Sequence, residues 1–141
     1  MKHWYMLTLV GEDEPGIVAQ ITTALFKQGV SLGETSMIRL GGNFTIMMMI
    51  STDMDAETID QQIGSLIDSL GLCMHLDPIE GQLHQHLIPN VTVRVSGADK
   101  AGIVAGVTTA LFEAGFNILD LTSDVAGSAD NPVYIMKIEG I

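Results

Sequence analysis

The chain contains two copies of one sequence unit. Residues 11–36 and 97–122 align without a gap at a constant offset of 86 positions. The residues of the first copy that recur unchanged in the second are Gly11, Asp13, Gly16, Ile17, Val18, Ala19, Thr22, Thr23, Ala24, Leu25, Phe26 and Gly29. An internal repeat indicates the architecture before any local element is assigned, so we predict two related modules with functional residues at paired positions.

The first copy, module 1, is predicted over residues 1–80. Its pattern of alternating and helical apolar spacings gives the order strand, helix, strand, strand, helix, strand. The predicted elements are a strand over 3–10, a helix over 17–25 closed by Gly29, strands over 30–40 and 43–52 joined at Gly41–Gly42, a helix from Asp55 to Gly71 and a strand over 72–79. This order is typical of an α+β, ferredoxin-like βαββαβ module with two helices on one face of a four-stranded antiparallel sheet.

The second copy, module 2, is predicted over residues 90–141, after a linker over 81–89. It repeats the first strand, the helix and the hairpin, but the sequence stops at Ile141 before a second helix and a fourth strand. Two explanations stay open: a trimmed chain, or a strand edge that a partner covers. The second hairpin carries the segment AGSADNP, which predicts about three inserted residues in an exposed loop.

Composition limits the possible partners and the compartment. Seventeen acidic residues against six basic ones give a net charge of −11, which disfavours direct binding to nucleic acid or to an anionic membrane. The hydrophobic fraction of 47% predicts apolar surface that a homo-oligomer would cover. A single cysteine predicts a reducing compartment. The N-terminal apolar run is too short for a membrane helix and lacks a signal-peptide cleavage region, so we predict a cytoplasmic protein.

The repeated turn before each helix has the chemistry of an amino-acid site. A glycine turn at Gly16 or Gly102 would expose backbone donors and the positive end of a helix to a ligand carboxylate. The carboxylates of Asp13 and Asp99 could then receive the ligand's ammonium group. The simpler alternative is that Asp13 or Glu14 only caps its helix, with Pro15 in the first helical position.

The motif G-x-D-x-(P or A)-G-I-V, followed by an amphipathic helix that ends G-(V or F)-(S or N)-(L or I), resembles the ACT domain, a small-molecule-sensing module of amino-acid metabolism. The resemblance covers nearly the whole chain and implies a ligand held between two paired domains, by this turn and by the start of the second strand. The positions concerned are Asp13, Glu14, Gly16, Ile17 and Ser31 in the first copy, and Asp99, Lys100, Gly102, Ile103 and Asn117 in the second. Asn117 matches the family pattern better than Ser31, whereas Ala101 replaces the usual proline.

Two ACT domains with nothing attached resemble the glycine cleavage system transcriptional repressor family. This resemblance implies a non-enzymatic regulator that binds a small amino acid such as glycine, without a cofactor, and that modulates a partner transcription factor. The alternatives are the regulatory segment of an enzyme such as a formyltetrahydrofolate deformylase, or a ligand-free dimerisation scaffold.

Other reactive residues are expected to have structural roles. Adjacent strand residues point to opposite faces, so Met47, Met48 and Met49 are not expected to form a metal site. His84 and His86 lack further ligands at suitable spacing, and Cys73 is expected to be buried. The acidic residues of the second helix are expected to lie on its solvated face and in its first turn; they are Asp53, Asp55, Glu57, Asp60 and Asp68.

Overall fold

The computed structural model describes residues 2–80, 87–98 and 100–141 and divides into two compact units. The first unit, Met1–Leu83, contains module 1, and the second, His84–Ile141, contains module 2. The domain limits of 1–80 and 90–141 and the linker over 81–89 stay predictions.

Module 1 has the predicted order of elements. They are β1 (His3–Glu12), α1 (Ile17–Lys27), β2 (Ser31–Leu40), β3 (Asn43–Thr52), α2 (Ala56–Ser69) and β4 (Cys73–Ile79). The strands form an antiparallel sheet in the order β2-β3-β1-β4, which confirms the ferredoxin-like topology. Gly41 and Gly42 join β2 to β3 with φ angles of 59° and 82°, as a two-residue type I′ turn requires.

The core of module 1 lies between the sheet and the two helices. Alternate side chains of β1 and β3 point to the helices, and they pack with the isoleucine stripes of α1 and α2 in one buried cluster. The fully buried members of this cluster are Leu7, Leu9, Ile21, Leu25, Ile46, Met48, Ile50, Ile59 and Ile67. The opposite face of the sheet carries the remaining residues of each strand, and no helix of module 1 contributes to it.

Module 2 repeats the first half of this fold. Its described elements are β5 (Val91–Gly97), α3 (Lys100–Glu113), β6 (Ile118–Ser128) and β7 (Asn131–Gly140), with the strand order β5-β7-β6. Its buried core is small and comprises Tyr134, Met136 and Ile138. Leu7 and Leu9 are fully buried, whereas their counterparts Val93 and Val95 are half-buried, because module 2 has no counterpart of α2 or β4 in its described residues.

The insertion in the second hairpin differs from the prediction. Leu7 pairs with Met48 and Val93 with Ile138, so the offset has risen to 90 and four residues are inserted instead of three. These residues also form no long loop. They extend the two strands until Ser128 pairs with Asn131. An even insertion keeps every later side chain on its original face, which an odd one would not do.

Each helix ends in the same hydrogen-bonded motif. Gly29, Gly71 and Gly115 have φ angles between 70° and 80°, in the left-handed region that favours glycine. At the end of α1 the Val30 N–H donates to the Leu25 carbonyl and the Gly29 N–H to the Phe26 carbonyl, both at 3.0 Å. These bonds define a Schellman motif, and they confirm that Gly29 and Gly115 close the predicted helices.

Asp55 caps the start of α2, which leads to a prediction about pH. The hydroxyl and the backbone N–H of Thr58 donate to the Asp55 carboxylate and hold its pKa below the ordinary 3.8, with the N–H at 2.8 Å from Oδ1. A lowered pKa in the folded state stabilises the fold above about pH 3.8, and this stabilisation is lost as the pH falls through the folded-state pKa.

Asp55→Ala should therefore lower the urea midpoint near neutral pH, and the difference from wild type should shrink below about pH 3. Asp68→Ala, at the other end of α2, should not lower the midpoint; an equal drop would contradict the cap.

Candidate functional site

The turn between β1 and α1 has a left-handed backbone conformation at Gly16, which favours glycine at that position. Gly16 has φ 84° and ψ 0°, and the Ile17 N–H lies 3.4 Å from the Glu14 carbonyl oxygen. Residues 14–17 thus form a type II turn, with Pro15 in the second position and glycine in the third. The prediction that Pro15 occupies the first helical position is wrong, because α1 begins two residues later, at Ile17.

The start of α1 has no side-chain cap, so the prediction that Asp13 or Glu14 caps it is also wrong. The first N–H groups of a helix lack intrahelical partners, and they carry partial positive charge. In α2 the Asp55 carboxylate accepts one of these donors. In α1 the Ile17 N–H donates to the Glu14 carbonyl within the turn, and no side chain caps the N–H groups that follow it.

Asp13 instead forms an ion pair with a residue that the sequence analysis did not select. Its Oδ2 lies 2.7 Å from Nε of Arg39, and its own N–H donates to the Gly42 carbonyl at 3.0 Å. The side chains are 28% and 63% exposed, so water screens the pair and its contribution to stability is small. Opposite charges therefore meet beside the turn. The strand register could have suggested Arg39. Arg39 on β2 pairs with Phe44 on β3, and Phe44 pairs with Gly11 on β1, two residues before Asp13.

The other predicted residues of module 1 divide into two groups. Glu14 is exposed in the turn, whereas the Ile17 side chain is 2% exposed and belongs to the core, so only its backbone is available to a ligand. Ser31 is exposed, but it pairs with Ser51 at the opposite end of the sheet from the turn. Eight residues of β3 separate these ends, a distance of about 27 Å. Within one module, Ser31 therefore cannot join the site at Gly16.

Module 2 arranges the same motif differently. Asp99 lies outside the described residues, and α3 already begins at Lys100, so Gly102 and Ile103 lie inside its first turns. Alanine replaces proline at 101, and alanine favours helix where proline would favour a turn. Asn117 is exposed, and its backbone exchanges two hydrogen bonds with Ile141, at the end of the sheet away from Gly97.

The repeat does not supply a second ion pair of the Arg39 type. The counterpart of Arg39 at the offset of 86 is Val125, which lies opposite Tyr134 as Arg39 lies opposite Phe44. A valine cannot neutralise a carboxylate. The two copies of the motif are thus chemically different, although 12 of the 26 aligned residues are identical.

Surface depressions lie elsewhere in module 1. One, of about 390 Å³, lies between α1 and α2 and is lined by Ala19, Gln20, Thr23, Ala24, Lys27 and Leu66. Another of similar size lies at the start of β1, against Ala56 and Pro78. Neither is lined by a predicted ligand residue.

The remaining candidates have structural positions. Cys73 is exposed, and the prediction of a buried thiol is wrong, because the alternate residues of β4, Met74 and Leu76, face the helices. Met48 is fully buried while Met47 is exposed, as opposite faces require. His84 and His86 lie outside the described residues. Across the described ranges, no three His, Cys, Asp or Glu side chains are placed to hold a metal, and no helix has the length and apolar content to cross a membrane.

Comparison with known proteins gives a family match and several likenesses. The model of the ACT domain family matches residues 3–77. The glycine cleavage system transcriptional repressor of Escherichia coli (strain K12) is 29% identical over 124 residues, which cover 86% of this chain. The chain spans 65% of the length of that repressor.

Two solved structures share the fold. A protein assigned as a glycine cleavage system transcriptional repressor superposes with a TM-score of 0.75 at 20% identity, over 100% of this chain and 81% of its own. A formyltetrahydrofolate deformylase from Pseudomonas syringae pv. tomato str. DC3000 superposes with a TM-score of 0.51 at 17% identity, over 55% of this chain and 28% of its own. At these identities the likeness establishes a common fold.

The two motif glycines should respond oppositely to substitution. Gly16→Ala places a side chain in the left-handed region and should lower the free energy of unfolding by about 1–2 kcal/mol. Gly102→Ala, inside α3, should leave it unchanged or raise it by up to about 1 kcal/mol. Urea unfolding of both variants measures the difference, and equal destabilisation would contradict the different backbones described for the two copies.

Proposed function

We propose that this chain, which belongs to the ACT domain family, is a non-enzymatic regulatory protein that binds a small amino acid where two ACT modules meet and thereby modulates a partner transcription factor. The observation that carries the proposal is the type II turn at Gly16. It leaves the first N–H groups of α1 without a side-chain cap, next to a pair of opposite charges.

The charges around the turn suit a zwitterion. The uncapped N–H groups of α1 can donate to a ligand carboxylate, and the positive end of the helix dipole attracts the same group. Asp13 can receive the ammonium group, in place of its ion pair with Arg39. Because Arg39 is mostly exposed, exchanging this partner costs little. An α-amino acid carries both charges within the span of a few atoms.

The position of Ser31 requires a second module in the site. It lies at the opposite end of the sheet from the turn, as Asn117 does in module 2. Ser31 begins the edge strand β2, and Asn117 directly precedes the edge strand β6. The described outer edges of these strands carry no further strand. If two modules pair antiparallel along such edges, the strand start of one approaches the turn of the other. We propose Asp13, Glu14, Gly16, Ile17 and Ser31, with Asp99, Lys100, Gly102, Ile103 and Asn117, as the residues of these shared sites.

Glycine is the ligand we propose, and a transcription factor the partner, because the E. coli relative is a glycine cleavage system transcriptional repressor. A net charge of −11 repels a phosphate backbone, so DNA would be reached only through the partner. If the ligand favours one pairing of the modules by a few kcal/mol, its concentration controls the affinity for that partner.

Titration calorimetry with glycine and a panel of other small amino acids tests the proposal. We expect saturable binding of glycine by the wild-type chain. Asp13→Ala, Asp99→Ala and Asn117→Ala should each weaken it about 10–100-fold, since each removes a hydrogen bond to a charged ligand group.

Asp60→Ala is the matched control, because it removes an exposed carboxylate from α2, away from the turn. Its affinity should equal that of the wild type. If no amino acid of the panel gives a heat of binding, the ligand-free scaffold is favoured and the sensor proposal is overturned. Equal losses in the Asp60 variant would show that net charge, and not the site, governs binding.

A further inference from the structure

The sheet of module 1 has an apolar face that no element of the module covers. This outer face, defined by Trp4, Met6, Val10, Ile38 and Met47, lies opposite the helices, as the alternation along each strand requires. Met49 belongs to the same face but is only 6% exposed, so the open part of the face lies toward Val10 and Ile38. Two cross-strand rows form its centre. Val10 lies opposite Thr45 and Thr45 opposite Ile38, and the next row contains Thr8, Met47 and Ser36.

The centre of the outer face carries no charge. Ile38 is 65% exposed and Met47 45% exposed, so the apolar side chains meet solvent. Charged residues occur at its margins, where Glu12 ends β1 and Asp77 lies on the edge strand β4. The centre thus combines apolar and hydroxyl side chains without charge inside a charged rim, and depletion of charge at the centre is typical of a protein–protein interface.

Module 2 provides an internal comparison, because its sheet has the same topology. The corresponding face of that sheet is charged: Arg94 lies opposite Lys137, and Glu139 lies two residues further along β7 and forms an ion pair with Lys137 at 2.6 Å. Such a face is stable in water. The outer face of module 2 is therefore suited to solvent, and the outer face of module 1 is suited to burial. The shared fold does not by itself require this difference.

We propose that the outer face of module 1 binds the same face of a second copy of this chain, sheet against sheet about a two-fold axis. Each chain carries a net charge of −11, so two copies repel unless they meet where neither presents carboxylates, and the centre of the outer face meets that condition. The four strands offer about 500 Å² per copy at the usual strand spacing. Two copies together bury about 1,000 Å², the lower limit for a specific interface.

Sedimentation and light scattering with variants that introduce a negative charge test this proposal, which does not depend on the ligand site. The wild type should have at least twice the 15.1 kDa mass of one chain. Met47→Glu and Ile38→Glu should each halve the mass, because the two-fold axis brings two glutamates into one apolar contact and raises the dissociation constant at least about 100-fold. Ile38 lies on an edge strand, which tolerates a charge, so its variant stays informative if Met47→Glu fails to fold.

Ile135→Glu is the matched control, because Ile135 is 43% exposed on the central strand of the other sheet. It should keep the wild-type mass. Trp4, the single tryptophan, lies on the outer face and gives a second readout: its emission should shift to the red on dilution of the wild type, and should not depend on concentration in Met47→Glu. A wild-type monomer at every concentration, an oligomer unaffected by both variants, or equal dissociation by Ile135→Glu would overturn the proposal.

Discussion

The fold of module 1 depends on the pairing of β1 with a strand on each side. β1 is hydrogen-bonded to β3 on one side and to β4 on the other, and its alternate side chains Leu7 and Leu9 are fully buried against the helices. A slip of one residue would turn these side chains to the opposite face, so the register is strongly determined. The same register places the turn at Gly16 and the start of β2 at opposite ends of the sheet. The fold of one module thus dictates that a site built from both must be shared.

The two modules show how few changes alter a repeated motif. Proline at 15 and glycine at 16 form a type II turn before α1, whereas alanine at 101 lets α3 begin earlier. Arg39 neutralises Asp13, but valine stands at the corresponding position of module 2. The motif residues are retained while the groups that orient them differ. The two copies therefore present different groups beside the start of their helices.

The two modules also differ in the sheet faces that they expose to solvent. In module 1 the helices cover the inner side of β1 and β3, and the centre of the outer face is uncharged, whereas module 2 has a charged outer face and a smaller described core. Part of the exposed apolar surface, including Val10, Ile38 and Met47, lies on the outer face of module 1. Burial against another apolar surface is favourable there, and like-charge repulsion is weak.

Local sequence determined the order of the elements, the hairpin at Gly41–Gly42 and the glycine ends of the helices, because these depend on backbone preferences and on apolar spacing within a few residues. The separation of Ser31 from the turn, the ion pair of Arg39 with Asp13, the exposure of Cys73 and the four-residue extension of the second hairpin were decided only by the tertiary structure. Each depends on which strands pair and in which register. Residues far apart in the chain meet through that pairing, and no local pattern records it.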